Sequence, residues 1–310
     1  MGGVSMNIIG MDIGGTNLRI GNLTADGVQG LQKHPTSRLT EGDSVDKLIR
    51  FIEGYLAEFR IAAPDAISVG FPASLTADRK RVFCAPNIKN ASGEGAFDRA
   101  NIVDPLRRRF GCPVFLNKDV NNLLYGDLIR MDLLERDCVA AGYIGTGYGG
   151  ALYVRGELQY GAHNAAMDIG HVSLYGVDAL CPCGKRGCVE TICSGRYLQQ
   201  IRQSCFPDTA IDDVFTFHSG AQVLRQFVQA CAQPFAMMLT MLDPDVILVG
   251  GGVPQMRDFP FDFLCDCIRE SSSRITASQN PDIRLCRATD DQGVFGAAWY
   301  ARSMLDRGDA

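Results

Sequence analysis

Cys181, Cys183, Cys188 and His171 are the residues of this chain whose types and spacing speak most directly of chemistry. Three thiolates and one imidazole complete the tetrahedron that zinc prefers, with no position left for a reacting water. Such a closed site fixes a loop. The loop 171–190 carries a carboxylate near each end, Asp168 in Met167-Asp168-Ile169-Gly170-His171 and Glu190 two residues past Cys188. Folding it onto zinc is expected to bring the two together as a clamp for a polyhydroxylated ligand. The competing reading of Cys-x-Cys-x4-Cys is coincidence or a disulfide set, which the twelve cysteines make worth weighing. The N-terminus shows no charged, apolar and small-residue leader, because Asn7 comes early and the first apolar run reaches Asp12. A reduced, cytoplasmic chain is therefore expected, in which cysteines such as Cys138, Cys231, Cys265 and Cys267 act as small core hydrophobes.

A second kind of chemistry is written in glycine. Asp12-Ile13-Gly14-Gly15-Thr16-Asn17 and Gly145-Thr146-Gly147-Tyr148-Gly149-Gly150 each follow a strand-like run and lead into another. Glycines let backbone N–H groups approach a phosphate, and Thr16 and Thr146 add hydroxyl donors. Two such turns suit the phosphate tail of a nucleotide, and Gly250-Gly251-Gly252 after a third strand offers a further contact to phosphate or adenosine, or a plain tight turn. A dinucleotide fingerprint would need the turn to pass from strand to helix, and a P-loop would need Gly-Lys-Ser or Gly-Lys-Thr; neither is present. Asp12, ending an apolar strand beside glycines, is placed to meet magnesium through water.

The elements that must position these residues alternate. Ile8 to Ile13, Leu18 to Leu23, Ala66 to Gly70 and Val114 to Leu116 read as strands, and Val45, Leu48, Ile49, Ile52, Leu56 and Phe59 recur at helical spacing. A helix begins at Asp119, which falls at its N-cap or first turn and is expected to be kept ionised by the helix's positive end. Cys138 to Ile144, Gly150 to Val154 and Val246 to Val249 read as strands, and a long helix from Val223 to Leu242 is expected to bend at Pro234. The halves open alike, which suggests two similar α/β domains facing a cleft, the first running to residue 118 and the second from 119 to about 290.

With 310 residues, 46% of them apolar, the chain can bury a core for each. A net charge of −5 with one short basic run, Arg107-Arg108-Arg109, argues against nucleic acid, and no apolar stretch approaches the roughly 20 residues of a membrane helix.

Together these motifs resemble the ROK family (repressor, open reading frame, kinase), within the larger group that shares the actin and hexokinase ATPase fold. The resemblance covers essentially the whole chain and implies that about 291–310 return to the first domain, residues 1–118. Asp12 to Asn17 look like its first phosphate loop, Gly145 to Gly150 like its second, and Gly161-Ala162-His163 to Gly170-His171 like its signature; Cys181-x-Cys183-Gly-x-x-Gly-Cys188-x-Glu190 is the most specific match. The resemblance implies an ATP- and magnesium-dependent sugar kinase with structural zinc, phosphorylating the 6-hydroxyl of a hexose. It implies Asp119 as catalytic base, sugar contacts from Asn87, Lys118, Asp119, Asp168, His171 and Glu190, and a homodimer. Two positions depart from the family pattern: Asp168 stands where many members have Glu, and Lys118 where many have Asn. Lys118, with Phe71-Pro72-Ala73 and Ala85-Pro86-Asn87, is most similar to members acting on D-allose; glucose, N-acetylmannosamine and fructose are the alternative acceptors. Members that regulate transcription carry a helix-turn-helix before the first strand. Here only Met1 to Met6 precede it, so catalysis is expected over a sugar-sensing regulator.

Overall fold

A computed structural model describes residues 6–273 and 280–308. The chain divides into two compact units, the first comprising residues up to Asp132, Tyr160–Ala165 and the C-terminus from Thr289, the second Leu133–Gln159 and Ala166–Ala288.

In the first unit, five strands form one sheet in the order β3-β2-β1-β4-β7. They are β1 (Ile8–Ile13), β2 (Asn17–Thr24), β3 (Gly27–Pro35), β4 (Ala66–Phe71) and β7 (Val114–Lys118), and a small hairpin, β5 (Ser74–Leu75) with β6 (Val82–Cys84), stands apart. Strand periodicity sends Ile9, Met11 and Ile13 to one face, where with Ile67, Val69, Val114 and Leu116 they meet Leu48, Ile52 and Leu56 of α1 (Ser44–Glu58). Asp43 caps α1, its carboxylate accepting from the N–H groups of Val45 and Asp46. A short α2 (Val103–Phe110) ends at left-handed Gly111.

Gly10 and Asp12 point to the opposite face. The register there is one continuous rung: Arg19 of β2 pairs with Asp12, Asp12 with Gly70, and Gly70 with Asn117 of β7. Over this face lie α3 (Asp119–Arg130) and the C-terminal helix.

The second unit repeats the strand order as β10-β9-β8-β11-β12. Its strands are β8 (Cys138–Ile144), β9 (Tyr148–Val154), β10 (Glu157–Leu158), β11 (Val246–Gly250) and β12 (Ile283–Leu285). As in the first unit, the first strand is antiparallel to the second and parallel to the fourth. Its core gathers Ala140, Ile144, Ile247 and Val249 against α4 (Gly195–Cys205), α5 (Val214–His218), α6 (Gln222–Leu242) and α7 (Phe261–Ser271). Helix α6 runs on through Pro234.

The last helix, α8 (Gln292–Arg307), belongs to the first unit, and glycines let it approach. A Cβ on Gly10 would sit 2.3 Å from the Val294 carbonyl oxygen, and one on Gly296 would meet the Asn122 carbonyl oxygen of α3. This close packing of α3 on α8 holds α3 in the first unit, so that unit runs to Asp132 rather than to the boundary at residue 118 expected from sequence. Among the described residues no helix is long and apolar enough to cross a membrane.

Candidate active site and metal centre

Within the first unit, the chemistry gathers at the C-terminal ends of β1, β4 and β7. Asp12 and Asp119 sit close enough that the charge of Asp119 acts on Asp12. Burial, then Asp119, push the Asp12 carboxyl up to about 6, and Arg19 beside it on the rung pulls the other way. Asp119 is the first residue of α3 rather than its cap, which is Lys118; its Oδ1 accepts from the Val120 N–H at 2.8 Å. Burial raises Asp119 too, and neither that hydrogen bond nor the charge of Lys118 restores it. Burial thus works against the ionisation that the helix end favours.

Glycine makes room in this cluster. A Cβ on Gly293 would lie 2.5 Å from the Asp12 carboxyl carbon, and one on Gly70 would lie 2.7 Å from Asn122 Nδ2 and 3.5 Å from the Asp119 Cα. Asn117 and Asn122 are buried beneath, Asn117 Nδ2 donating to Asn122 Oδ1 at 3.0 Å. The first glycine turn is closed by Gly14 N–H donating to the Asn17 carbonyl and by Thr36 Oγ1 donating to the Gly14 carbonyl, each at 2.8 Å. Its tip, Gly15 and Thr16, is exposed, and the Asn87 backbone lies against Gly15. The structure therefore brings Asp12, Gly14, Gly15, Thr16, Asn17, Asn87, Lys118 and Asp119 into one unit.

The second unit holds the remaining sequence-derived residues. Its glycine turn uses its carbonyls internally: Gly145 accepts from the Gly195 N–H and Thr146 from that of Arg196, at the start of α4. Gly250, Gly251 and Gly252 lie on the neighbouring strand end, and Gly251 has φ +92 with Ile144 backbone where a Cβ would be. Here the close approach demands glycine.

His171 Nδ1, Cys181, Cys183 and Cys188 present donor atoms within 4.8 Å of one another. Cys183 Sγ lies 3.6 Å from Cys188 Sγ, and Cys181 Sγ 3.6 Å from His171 Nδ1. Zinc–sulfur bonds of about 2.3 Å give tetrahedral edges of about 3.7 Å, so the donor set and its spacing fit zinc. The loop is shaped by its backbone, with left-handed Gly184 and Gly187 and with Lys185 Nζ donating to the His171 carbonyl at 2.7 Å. Glu190 is drawn to the centre, its Oε1 3.1 Å from Cys181 Sγ and 4.0 Å from His171 Nδ1. Its Oε2 stands 2.6 Å from where a Cβ on Gly147 would be, so Gly147 makes room for a carboxylate as well as for a turn. Likewise Gly170 and Gly150 let the 167–171 segment lie on β9. Asp168, exposed, heads the turn that ends in His171.

Sequence reasoning missed Asn117, Asn122 and the Gly70 and Gly293 contacts. Apolar patterning does not mark buried amides, although Asn121-Asn122 one turn after Asp119 is a visible trace of them.

Two duplicated α/β units, one carrying paired strand-end carboxylates and the other a Cys/His loop, define a protein of the actin/hexokinase-like class. The chain belongs to the ROK family, whose profile matches residues 8–304. It is 26% identical to the N-acetyl-D-glucosamine kinase of Pectobacterium carotovorum over 93% of this chain and 97% of the relative. A ROK family glucokinase from Streptomyces griseus, solved with glucose and AMPPNP, superposes with a TM-score of 0.74 at 25% identity, covering 96% of this chain and 99% of its own. A ROK family transcriptional regulator homologous to the E. coli MLC protein superposes at 0.82, with 18% identity and 97% and 79% coverage. That likeness is one of fold alone.

Proposed function

We propose that this chain is an ATP-dependent hexose kinase that phosphorylates the 6-hydroxyl, with D-allose as its acceptor. The observation that carries the reading is the pair of strand-end carboxylates, Asp12 and Asp119, set beside a glycine turn in one unit. Phosphoryl transfer asks a protein mainly for positioning, for donors around the phosphates and for a carboxylate to take the hydroxyl proton. Asp119 takes that proton as the sugar oxygen attacks the γ-phosphorus. Its raised pKa suits a base that must also release the proton. Magnesium, held by Asp12 through water, would neutralise charge on the phosphates. Gly14 to Asn17, Gly145 to Gly147 and Gly250 to Gly252 offer N–H and hydroxyl donors to the nucleotide. Asn87, Lys118, Asp168, His171 and Glu190 hold the sugar, His171 giving one ring nitrogen to zinc and the other to a hydroxyl. A homodimer is the assembly we expect.

Allose is the C3 epimer of glucose. Lys118, a cation where many family members have Asn, changes the acceptor geometry around C3 and C4, and this is what favours allose over glucose or N-acetylglucosamine. ADP release from MgATP is the test, with D-allose, D-glucose, D-mannose, D-fructose, N-acetylglucosamine and N-acetylmannosamine offered in turn. A preference for allose supports the full reading, and preference for another hexose keeps the kinase and discards the acceptor. Silence across all six from folded, zinc-loaded protein moves the reading to sugar sensing or to an acceptor outside the common hexoses.

A further inference from the structure

Arg79 joins two unfavourable features at one residue. It lies in the turn between β5 and β6 with φ +52, the left-handed region that a side-chain-bearing residue enters only at a cost. Arg60, Arg99 and Arg155 share that conformation, but they sit exposed in surface turns. Arg79 alone among these arginines turns its guanidinium inward, and among the described residues no carboxylate pairs with it there. A cation taken from water without a counter-charge persists only where neutral groups hold it closely.

Those groups come from three parts of the first unit. The guanidinium carbon lies 4.0 Å from the centre of the Tyr160 ring. Nη1 donates to the Tyr300 hydroxyl of α8 at 2.8 Å and to Asn117 Oδ1 of β7 at 3.2 Å. From Asn117 the bonding continues to Asn122 of α3, and Tyr300 packs edge-on against Phe115 and Tyr125. A reciprocal tie returns to the same hairpin: Asn164, left-handed at φ +55 and buried, donates through Nδ2 to the Thr76 carbonyl. Tyr160 and Asn164 belong to Tyr160–Ala165, the short segment of the first unit that follows Gln159 and precedes Ala166 in the second.

We propose that Arg79 is a positioning residue for the acceptor side of the site. Through Asn117 it fixes the strand end that carries Lys118 and Asp119, and through Tyr160 it fixes the segment that leads along the chain to Asp168 and His171. One guanidinium thus sets the starting points of both groups of sugar-facing residues. The inference rests on the kinase reading for its catalytic part and on the contacts alone for its anchoring part.

Arg79→Met keeps the apolar stem and removes the charge, and Arg79→Lys restores the charge without the fork. In Arg79→Met we expect kcat to fall about 30-fold and the sugar KM to rise about tenfold, with the ATP KM within twofold, because displacing reacting groups by an ångström can cost about a hundredfold. Amides of 160–165 should exchange hydrogen faster, Arg79→Lys should recover part of kcat, and Arg155→Met, in an exposed turn, should change none of these. A kcat and sugar KM within twofold of wild type overturn the proposal, and so does an ATP KM that rises in step with the sugar KM, which would mean general loosening. Should Arg79→Met fail to fold, Tyr300→Phe decides: a kcat about threefold lower at constant ATP KM supports it, and an unchanged kcat overturns it. If wild-type protein releases ADP with none of the sugars offered, the kinase reading fails, and hydrogen exchange judges the anchor separately, faster exchange supporting it and unchanged exchange overturning it.

Discussion

The two sheets have the same strand order and differ in what stands at the end of their first strands. In the first unit the rung reads Arg19, Asp12, Gly70 and Asn117; in the second it reads Gly149, Tyr143 and Gly250. Gly70 and Gly250 occupy corresponding places, each beside a neighbour that leaves no room for a Cβ. Over Gly70 that neighbour is the Asn122 amide, and over Gly250 it is the Tyr143 ring. One topology therefore yields two sites of opposite character: polar and carboxylate-bearing in the first unit, aromatic and closed in the second. The second unit's carboxylate, Glu190, comes instead from the Cys/His loop, its Oε1 3.1 Å from Cys181 Sγ. The comparison teaches that the fold supplies the strand end, while single side chains decide whether a carboxylate or an aromatic ring stands there.

The hardest test of this contrast is Asp119→Asn. It retains shape and removes the base, and kcat should fall by about 10²–10⁴-fold with the sugar Kd nearly unchanged; activity within tenfold of wild type would refute the role. A pH profile sharpens it, since Asp119 must be deprotonated to work and Asp12 carries its charge only above about 6. In the wild type, kcat should fall as pH drops through that region. Stability moves the opposite way. The folded protein holds a proton on Asp12 that the unfolded chain has lost, so raising the pH from about 4 to above 6 removes up to about 3 kcal/mol from the metal-free fold. Asp12→Asn should accordingly raise the metal-free Tm at pH 8, leave it nearly unchanged at pH 4, and abolish turnover. A lower Tm at pH 8 would mean that the carboxylate is not strained by burial.

In the second unit the corresponding break is Cys183→Ala. Zinc content should fall, and sugar affinity with it by about 10–100-fold, because Glu190 and His171 lose the centre that orients them. The ATP KM should move less. Loss of zinc with full sugar affinity would separate the metal from the clamp.

Paired glycine substitutions address the rungs directly. Gly70→Ala and Gly250→Ala each crowd a buried neighbour and should cost about 1–3 kcal/mol of stability. Only Gly70→Ala displaces a group beside the Asp119 backbone, so its kcat should fall about tenfold, while Gly250→Ala, in a turn proposed for the nucleotide, should raise the ATP KM and change kcat only about twofold. Equal losses would show that both rungs serve packing alone.

How much of this was legible beforehand follows from physical cause. Strands such as Cys138–Ile144 and helix α1 are plain in the apolar pattern, and the four metal donors in their spacing, because residue type and interval carry the signal. Strand β3 escaped because Gly27–Pro35 pairs at the sheet's edge with exposed residues alternating along it, so little apolar character marks it. The reach of the first unit through α3 escaped for another reason: it depends on Gly126 meeting Gly296, a contact between residues far apart in sequence that neither glycine announces. Asp119 was read correctly as standing at a helix start, yet its raised pKa depends on depth in the fold, which a sequence does not record. The Arg79, Asn117 and Asn122 chain was invisible for the same reason, since polar residues in a sequence read as surface until the fold buries them.

The smallest expected effect concerns the acceptor. Lys118 ends β7 at the N-cap of α3 and its charge already acts on Asp119, so under the proposed function replacing it alters both the sugar contact and the base. In Lys118→Asn the field on Asp119 is lost, its pKa should rise further, and the acid limb of the kcat profile should move to higher pH for every sugar alike. The sugar contact is separable because it changes the ratio of kcat/KM values, from which a common effect on the base cancels. One hydrogen bond to a C3 or C4 hydroxyl is worth about 1 kcal/mol net, so the allose-to-glucose ratio should fall about fivefold. A shifted acid limb with an unchanged ratio would leave Lys118 acting on the base alone, and the choice of hexose would then have to be sought at Asp168.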